Sequence, residues 1–373
     1  MWINSVEIKN FRNYKKAQVI FSKGLNYVHG FNGAGKTNLL EVVGLLSHGK
    51  SMRLRNSEDL IKDGFNNAFL KGAYENDKRE NLVVNFALTK SMGKRITVNG
   101  KAVLKISDVF RLAPTVQCFE KDTELLQGSP AIRRNFLDCL CAQLYPAYLK
   151  YHSEYRNVLN QRNSALKNST LKGALKIAID EVFIKKAVPV IQLRQETLSQ
   201  LSLIIERQKD SFDKESNFII SESSFLDSSS VDFITSMLYE KLEKLSSEEL
   251  RYFRTSAGPH RDSIDFKAGE SKIRGRSSRG QIKNMIFRLK MAEFELLKTK
   301  LKKTPIVLLD DVFAEMDYLR SKNLGKLLEL GAQVFLASTA PPSSFLSVAG
   351  NSMRKIEIDN GVVVSNSVIL SAA

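Results

Sequence analysis

The feature that most restricts the fold of this chain is a glycine-rich loop near its N-terminus. Residues 30–37 read Gly-Phe-Asn-Gly-Ala-Gly-Lys-Thr and match G-x-x-x-x-G-K-[ST] at every fixed position. The loop follows a short strand pattern at 25–28 and precedes a helical one, which is the context that a phosphate-binding loop requires. Backbone N–H groups in such a loop turn toward phosphate oxygens. The residues expected to contact a nucleoside triphosphate, taken to be ATP, are Gly30, Asn32, Gly33, Ala34, Gly35, Lys36, Thr37 and Asn38.

An acidic pair far downstream supplies the expected metal ligand. Residues 306–309 form a short apolar run typical of a buried parallel strand, and the run ends in Asp310 and Asp311. Asp310 and the Thr37 hydroxyl are expected to hold Mg²⁺, while Lys36 reaches the β- and γ-phosphates. Asp311 is placed to polarise the attacking water as a general base. A strand that merely ends in two solvated carboxylates is the alternative, and the intact loop disfavours it.

A third segment lies between these two. Ser277-Ser278-Arg279-Gly280-Gln281 opens a long basic helix, and on its own it predicts only an N-cap and a turn. Its position, about thirty residues before the acidic pair, resembles that of the signature loop in ATP-binding-cassette (ABC) ATPases. In those proteins the loop of one subunit covers the γ-phosphate held by another. Ser278 and Gly280 are therefore expected to complete the nucleotide site across a dimer.

The secondary-structure pattern changes along the chain. Strand patterns dominate residues 1–120, whereas 131–207 space Leu, Ile, Tyr and Ala three and four apart, as helices do. The serine-rich stretch 216–230 is interpreted as an exposed loop. The later elements are a strand after Gly258, a basic helix at 285–301, and short apolar strands at 306–309 and 334–337. This order indicates an α/β fold with a mostly helical insertion.

The charge of the chain favours a polyanionic partner. Lys plus Arg exceed Asp plus Glu by 56 − 40 = 16, which suits nucleic acid or an anionic membrane surface, although a merely soluble basic protein is also compatible with it. Residues 272–303 hold eleven basic and two acidic side chains, which is over half of the excess. A solvated helix face is the plainer interpretation of several of them. The candidates for DNA phosphate contacts are Lys272, Arg274, Arg276, Lys298, Lys300, Lys302 and Lys303.

The compartment is predicted from what the sequence lacks. No apolar stretch approaches the roughly 20 residues of a membrane span, and Met1–Glu7 show no basic leader followed by an apolar run. The three cysteines, Cys118, Cys139 and Cys141, have no second CxxC or HxxxH partner, so they are expected to be reduced packing residues. The chain is therefore expected to be cytoplasmic, with no membrane partner.

Motifs along the whole chain resemble the RecF family of bacterial ATPases, relatives of the SMC heads. The resemblance includes the opening segment 6–14 and the glycine loop with the residues after it, 33–41. The remaining matches are Gly128-Ser129-Pro130 with 133–138, Gln161-Arg162-Asn163, Gly258-Pro259-His260-Arg261-Asp262, Leu308-Leu309-Asp310-Asp311 and Glu315-Met316-Asp317. Three segments depart from the family pattern. Arg279, Ile282 and Lys283 replace polar signature positions, 119–122 replace the usual Ser-Pro-Glu-Asp, and 337–339 replace Thr-Thr-Thr.

The resemblance implies an architecture and a function. It implies an ABC-type ATPase head built from 1–120 and 255–373, with a helical arm at 121–254 no longer than about 60 Å. Proteins of this family dimerise when both sites hold ATP, bind DNA in that state and release it after slow hydrolysis. They act with RecR and RecO to promote RecA loading at single-strand gaps beside duplex DNA, in repair, replication, recombination and the SOS response.

Other functions share parts of these motifs. A transporter-associated ABC ATPase is the main alternative, but it has no need of the helical insertion or of 258–262. A small-molecule P-loop kinase has no reason to carry the signature loop, and the short arm disfavours an SMC-like tether. His260 lacks a positioned Ser or metal set, so a satisfied turn residue is favoured over a catalytic one. The sequence does not place Arg12 or Arg53 relative to the nucleotide.

Overall fold

The computed structural model describes residues 1–49, 57–103, 109, 112–208, 218–222, 230–268, 271–272, 279–311, 318–341, 345 and 352–370. The chain divides into two compact units. The first unit joins Met1–Asp122 with Glu293–Ala373, and the second is Thr123–Ala292. The sequence-based division placed the return to the head at residue 255, whereas the structure groups 255–292 with the helical unit. The candidate Gly280 therefore belongs to the second unit.

The first unit contains a six-stranded sheet with the order β15-β14-β3-β13-β12-β8. The strands are β3 (Leu25–His29), β8 (Thr115–Cys118), β12 (Ile306–Asp310), β13 (Val334–Ser338), β14 (Ser352–Asp359) and β15 (Val362–Leu370). All neighbours are parallel except β14 and β15. Every residue of β12 and β13 is buried, which explains their continuous apolar sequence. The prediction of buried parallel strands at 306–309 and 334–337 is confirmed.

A second, antiparallel sheet lies in the same unit, in the order β2-β1-β4-β5-β6-β7. Its strands are β1 (Trp2–Phe11), β2 (Tyr14–Ile20), β4 (Asn67–Glu75), β5 (Asn81–Thr89), β6 (Gly93–Val98) and β7 (Lys101–Ala102). Burial alternates along β4 and β5, as expected for strands with one face on a core. The helix α1 (Lys36–His48) is buried on nearly all sides. Its Leu39 and Val42 join Val6, Leu308 and Phe335 in one apolar core that unites both sheets.

The second unit is mostly helical. It contains α2 (Thr123–Gln127), α3 (Pro130–Leu144), α4 (Tyr148–Lys167), α5 (Gly173–Arg207), α6 (Val231–Lys244) and α7 (Ser246–Tyr252). A three-stranded sheet joins β9 (Phe218–Glu222), β10 (Ile264–Ala268) and β11 (Ser271–Lys272). The interpretation of 216–230 as an exposed loop is wrong for β9, because Phe218–Glu222 pair in register with β10.

The longest helix in the described part of the chain is α5, with 35 residues. At 1.5 Å per residue it spans about 52 Å, within the limit expected for a short arm. The helix α8 (Arg279–Leu301) runs from the second unit into the first, and α9 (Tyr318–Glu329) follows β12. None of the helices within the described ranges is both long and apolar enough to cross a membrane. The three cysteines are buried, and none of them forms a disulfide bond.

Candidate nucleotide-binding site

The glycine loop connects the end of β3 to the start of α1 inside the first unit. Gly35 has φ 121°, a conformation that L side chains rarely adopt. A Cβ atom at Gly30 would lie 2.4 Å from the carbonyl oxygen of Ile358, so the loop backbone passes directly against β14. Phe31, Asn32 and Gly33 are exposed, whereas Ala34, Gly35 and Lys36 are buried. Glycine is therefore required at position 30 because a side chain would clash with Ile358, and at position 35 because of its positive φ.

The N-terminus of α1 is left open to an anion. In the described part of the chain no side chain caps this helix, and its first turn holds no acidic residue. Lys36 lies over its own loop, with Nζ donating to the carbonyl oxygens of Gly30 at 2.9 Å and Phe31 at 3.1 Å. The ammonium group of Lys36 and the dipole at the helix N-terminus make this end of α1 suited to phosphate oxygens.

Thr37 and Asp310 meet at the carboxyl edge of the parallel sheet. The Thr37 hydroxyl donates to Oδ1 of Asp310 at 3.0 Å. Asp310 ends β12 and is buried, and its register partner on β13 is Ala337. A hydroxyl and a carboxylate at this separation are oxygen donors of the kind that Mg²⁺ takes together with phosphate oxygens. The two predicted metal ligands are thus brought together.

Asp311 has an unusual backbone. Its φ is 50°, in the left-handed region that is strained for a residue with a side chain. Its N–H donates to the carbonyl oxygen of Ala337 at 3.0 Å, so the parallel ladder continues one residue beyond the strand. The side chain is half-exposed while that of Asp310 is buried. The two neighbouring carboxylates therefore occupy different environments, one facing Thr37 and one reaching solvent.

Residues outside the sequence motif also contact the loop. Asn13 and Tyr14, at the turn between β1 and β2, bind the carbonyl oxygens of Ala34 and Gly35. Asn38 donates to Oδ1 of Asn13 at 2.9 Å. Sequence reasoning placed Asn38 at the nucleotide but did not single out Asn13 or Tyr14. The only available signal was their position in the family-like segment 6–14.

Arg12 is held by the first helix. It forms an ion pair with Glu41 of α1 at 3.0 Å, and Nη1 donates to the carbonyl oxygen of Asp59 at 3.1 Å. Its φ of 52° is again left-handed. The paired carboxylate of Glu41 is buried, which favours keeping the guanidinium in place. Arg53 lies outside the described residues.

The structure describes only some of the remaining predicted site residues. Gly280 lies exposed in the first turn of α8, and Ser278, Arg274 and Arg276 lie outside the described residues. Lys272 lies on β11. Lys298 donates to the carbonyl oxygen of Leu330 at 3.0 Å, so part of its hydrogen-bonding capacity is used within the fold. The side chains of Lys300, Lys302 and Lys303 are exposed.

His260 belongs to a fixed turn of the second unit. Its Nε2 lies 2.9 Å from the carbonyl oxygen of Thr255, and its Nδ1 lies 2.5 Å from the Tyr155 hydroxyl. Burial, with help from nearby arginines, lowers the pKa of His260 to about 4. A neutral ring donates from Nε2 to Thr255 and accepts at Nδ1 from Tyr155. The interpretation of His260 as a satisfied turn residue agrees with these contacts.

The same turn is anchored by a buried ion network. Arg194 of α5 contacts Asp138 at 2.6 Å and Asp262 at 3.0 Å, and it donates to the carbonyl oxygen of Pro259 at 2.7 Å. Arg134 donates to the carbonyl oxygen of Asp262 at 2.8 Å. Buried charges are costly unless paired and hydrogen-bonded. The segment 258–262 therefore has a structural reason for its particular sequence.

Comparison with known proteins decides the family. The family model described as "RecF/RecN/SMC N terminal domain" matches residues 2–361. Proteins called "DNA replication and repair protein RecF" align over almost the whole chain. The protein from Streptococcus gordonii is 32% identical, covering 97% of this chain and 99% of the relative. The one from Streptococcus agalactiae serotype V is 33% identical, covering 98% of each. The chain belongs to the RecF family.

Solved structures of RecF have the same architecture. The "Structure of the recombination mediator protein RecF-ATPrS in RecFOR pathway" aligns with TM-score 0.87 at 27% identity, covering 97% of both chains. The corresponding RecF-ATP structure aligns with TM-score 0.86, covering 100% of this chain and 98% of that one. An SMC head bound to a ScpA domain aligns with TM-score 0.55 at 16% identity, which shows a common fold only. The expected RecF-type ATPase head with an inserted helical arm is confirmed.

Proposed function

We propose that this member of the RecF family is a DNA replication and repair ATPase whose ATP binding controls dimerisation and DNA capture. The observation that carries the proposal is the hydrogen bond between Thr37 and Asp310, with Lys36 across the loop from it. This contact brings two distant segments together, and with them the residues that we propose as phosphate and metal ligands. The similarity to a RecF–ATP structure over the whole chain supports ATP as the nucleotide.

The residues present fit a Mg²⁺–ATP complex. The open N-terminus of α1 and the ammonium group of Lys36 suit the phosphates. Asn32, Gly33, Ala34 and Gly35 belong to the loop itself, and Asn38 lies in the first turn of α1. Thr37 and Asp310 would hold the metal, directly or through water. Bound Mg²⁺ would supply positive charge that neutralises the charge developing on the phosphates.

Asp311 is proposed as the general base. Its half-exposed carboxylate lies next in sequence to the buried Asp310, so it can accept a proton from water without giving up a metal ligand. The left-handed backbone at Asp311 is maintained at an energetic cost, which is common where a side chain must be aimed for function. Lys36 would stabilise the negative charge that develops as the γ-phosphoryl group leaves.

The dimer is proposed to share its nucleotide sites. Ser278 and Gly280 of one copy would contact the γ-phosphate bound at Lys36 and Thr37 of the other. A ligand that bridges two copies favours the dimer by its contacts with the second copy. By function, the head is proposed to comprise 1–120 and 255–373 and the arm 121–254. The reason is that the signature loop is proposed to act at the nucleotide site of the partner copy. By packing, 255–292 belongs to the helical unit.

Dimerisation would align two copies of the basic segment on DNA. The proposed phosphate contacts are Lys272, Arg274, Arg276, Lys298, Lys300, Lys302 and Lys303. Each phosphate contact adds electrostatic affinity for DNA through counterion release, so a dimer with two copies of the segment would bind DNA much more tightly than one chain. The solved relatives are described as recombination mediators of the RecFOR pathway, which supports RecO and RecR as partners. Gapped DNA as the substrate, RecA loading as the outcome and a cytoplasmic location belong to the same proposal.

The test is the binding of a gapped DNA duplex followed by fluorescence anisotropy. The full chain is titrated with ATP, with ADP and without nucleotide, at two salt concentrations, while light scattering gives the molar mass. ATP is expected to tighten DNA binding and double the mass, and the binding is expected to weaken with salt. Equal DNA binding in all three nucleotide states would contradict the proposed coupling.

A further inference from the structure

Two turns outside the phosphate-binding motif hold the glycine loop from behind. One is the turn between β1 and β2, which contains Asn13 and leads into Tyr14, the first residue of β2. The other is the turn between β14 and β15, which contains Gly361. We call Asn13, Tyr14 and Gly361 the loop brace. The turns come from opposite ends of the chain and meet on two consecutive carbonyl groups of the loop.

Each brace residue donates a hydrogen bond to the loop backbone. The carbonyl oxygen of Ala34 accepts from Asn13 Nδ2 at 2.9 Å and from the Gly361 N–H at 2.8 Å. The carbonyl oxygen of Gly35 accepts from the Tyr14 hydroxyl at 2.9 Å. These oxygens lie at the point where the loop becomes α1.

The direction of a carbonyl fixes the direction of the next N–H. In a trans peptide the C=O of one residue and the N–H of the next lie in one plane and point opposite ways. Binding the Ala34 oxygen from behind therefore turns the Gly35 N–H to the opposite side of the loop. The Gly35 oxygen is held by the Tyr14 hydroxyl together with the Leu39 N–H of α1 at 3.0 Å, and these two bonds orient the Lys36 N–H in the same way. Those N–H groups are the ones that a glycine loop presents to phosphate.

The brace is itself held firmly. Asn38 donates to Asn13 Oδ1 at 2.9 Å, which fixes the orientation of the amide, and Lys62 Nζ donates to the Asn13 carbonyl oxygen at 2.8 Å. A Cβ atom at Gly361 would lie 2.5 Å from that same oxygen, so the second turn fits only as glycine. Burial raises the pKa of Tyr14 well above its ordinary value, which keeps its hydroxyl protonated and able to donate.

We propose that Asn13, Tyr14 and Gly361 are positioning residues that hold the Gly35 and Lys36 N–H groups toward the phosphates of the nucleotide. The inference rests on the proposed ATP binding and adds residues to it that the motif does not contain. Their effect is on the phosphates rather than on the base or ribose. Inorganic triphosphate, which has neither base nor ribose, is therefore a direct probe of the brace.

The experiment compares two brace variants with two matched controls by calorimetric titration of ATP and inorganic triphosphate, both with Mg²⁺. Asn13→Ala removes the amide, and Tyr14→Phe removes a single oxygen atom. The controls are Asn85→Ala, which loses a bond to Thr97, and Tyr74→Phe, which loses a buried contact with Ser47. Loss of one to two hydrogen bonds predicts that both ligands bind about fivefold to tenfold more weakly to the brace variants. The controls should bind as the unchanged protein does.

Thermal unfolding without ligand separates positioning from general stability. The brace variants should unfold at temperatures like those of their matched controls, yet differ from them in triphosphate affinity. If Asn13→Ala fails to fold, Tyr14→Phe decides the matter alone. If the unchanged protein binds ATP and the brace variants bind triphosphate as tightly as it does, the positioning role of the brace is contradicted. The proposed function is not affected by that result. Failure of the unchanged protein to bind either ligand would overturn both.

Discussion

The hydroxyl of Thr37 donates a 3.0 Å hydrogen bond to the carboxylate of Asp310, from which it is separated by 273 positions in the chain. Thr37 lies in the first turn of α1 and Asp310 ends β12, and the two elements pack in the same unit. A metal ion bridging them with a phosphate would take over the two oxygen atoms that now bond to each other. The contact therefore holds the two proposed metal ligands next to each other.

Lys36→Met is expected to abolish tight ATP binding. The ammonium group is aimed into the loop by the carbonyl oxygens of Gly30 and Phe31, and charged hydrogen bonds are worth about 1.5–3 kcal/mol each. Titration calorimetry should show ATP affinity reduced about 100-fold, with ATP-driven dimerisation and tight DNA binding lost together. Lys71→Met, which removes a half-exposed ion pair with Glu7, is the control. ATP binding at normal strength by Lys36→Met would contradict the assigned site.

Asp311→Asn is expected to separate binding from hydrolysis. The amide cannot accept the proton of the attacking water, so phosphate release should slow about 100-fold or more. Asp310 and Thr37 are unchanged, so ATP affinity and ATP-driven dimerisation should persist. Single-turnover hydrolysis and light scattering measure the two properties separately. If hydrolysis proceeds at the normal rate, another residue is the base.

Ser278→Arg is expected to keep ATP binding and lose the dimer. The proposed role of Ser278 is to contact nucleotide on the partner copy, so its own phosphate loop remains intact. Light scattering with ATP should give the mass of one chain, while calorimetry gives normal affinity. Ser236→Arg adds the same charge on the exposed side of α6 and should dimerise normally. A dimer of normal strength in Ser278→Arg would rule out the shared site.

His260 is expected to make the folded protein sensitive to mild acid. Its pKa is about 4 in the folded protein and near 6.5 when unfolded, so the unfolded state binds more protons between those values. The contribution of His260 is present above pH 6.5 and is lost as the pH falls toward 4, by about 1–3 kcal/mol. His260→Gln should therefore show a shallower loss of the free energy of unfolding over that range. Urea titrations from pH 7 to 4.5 measure this, and equal slopes in the two proteins would contradict the buried neutral histidine.

Replacing Lys300, Lys302 and Lys303 by Gln is expected to weaken DNA binding in ATP without changing ATP affinity. All three side chains are exposed at the end of α8 and just beyond it. Each lost phosphate contact should reduce the salt dependence of DNA binding by about 0.9 in the log–log slope. Anisotropy titrations over a range of salt concentrations give this slope directly.

A charge-matched control separates local contacts from net charge. Gln at Lys167, Lys172 and Lys185 removes the same charge from exposed positions at the end of α4, just before α5 and within α5. This variant should keep the normal salt slope. The same slope in both triple variants would show that the residues at the end of α8 make no phosphate contacts.

The local sequence determined the parts of this protein that depend on short, continuous motifs. A glycine loop between a strand and a helix can hardly adopt another arrangement, because its positive φ values and helix N-terminus follow from consecutive residues. The continuous apolar runs before Asp310 and at 334–337 predicted buried parallel strands for the same kind of reason. The family-like motifs along the whole chain gave the ATPase head and the helical arm.

Tertiary structure alone decided which distant groups meet. Nothing local in Asn13, Tyr14 or Gly361 indicates that they bind the carbonyl groups of residues 34 and 35, because the two sheets determine where the β1–β2 and β14–β15 connections lie relative to the loop. The strand Phe218–Glu222 lies in a serine-rich stretch, and its partner, β10, is more than 40 residues away in the sequence. The packing of 255–292 with the helices likewise depends on contacts such as Arg194 with Asp262. The hydrophobic periodicity of a segment indicates which of its faces is buried. Contacts between distant residues depend instead on how the whole chain folds.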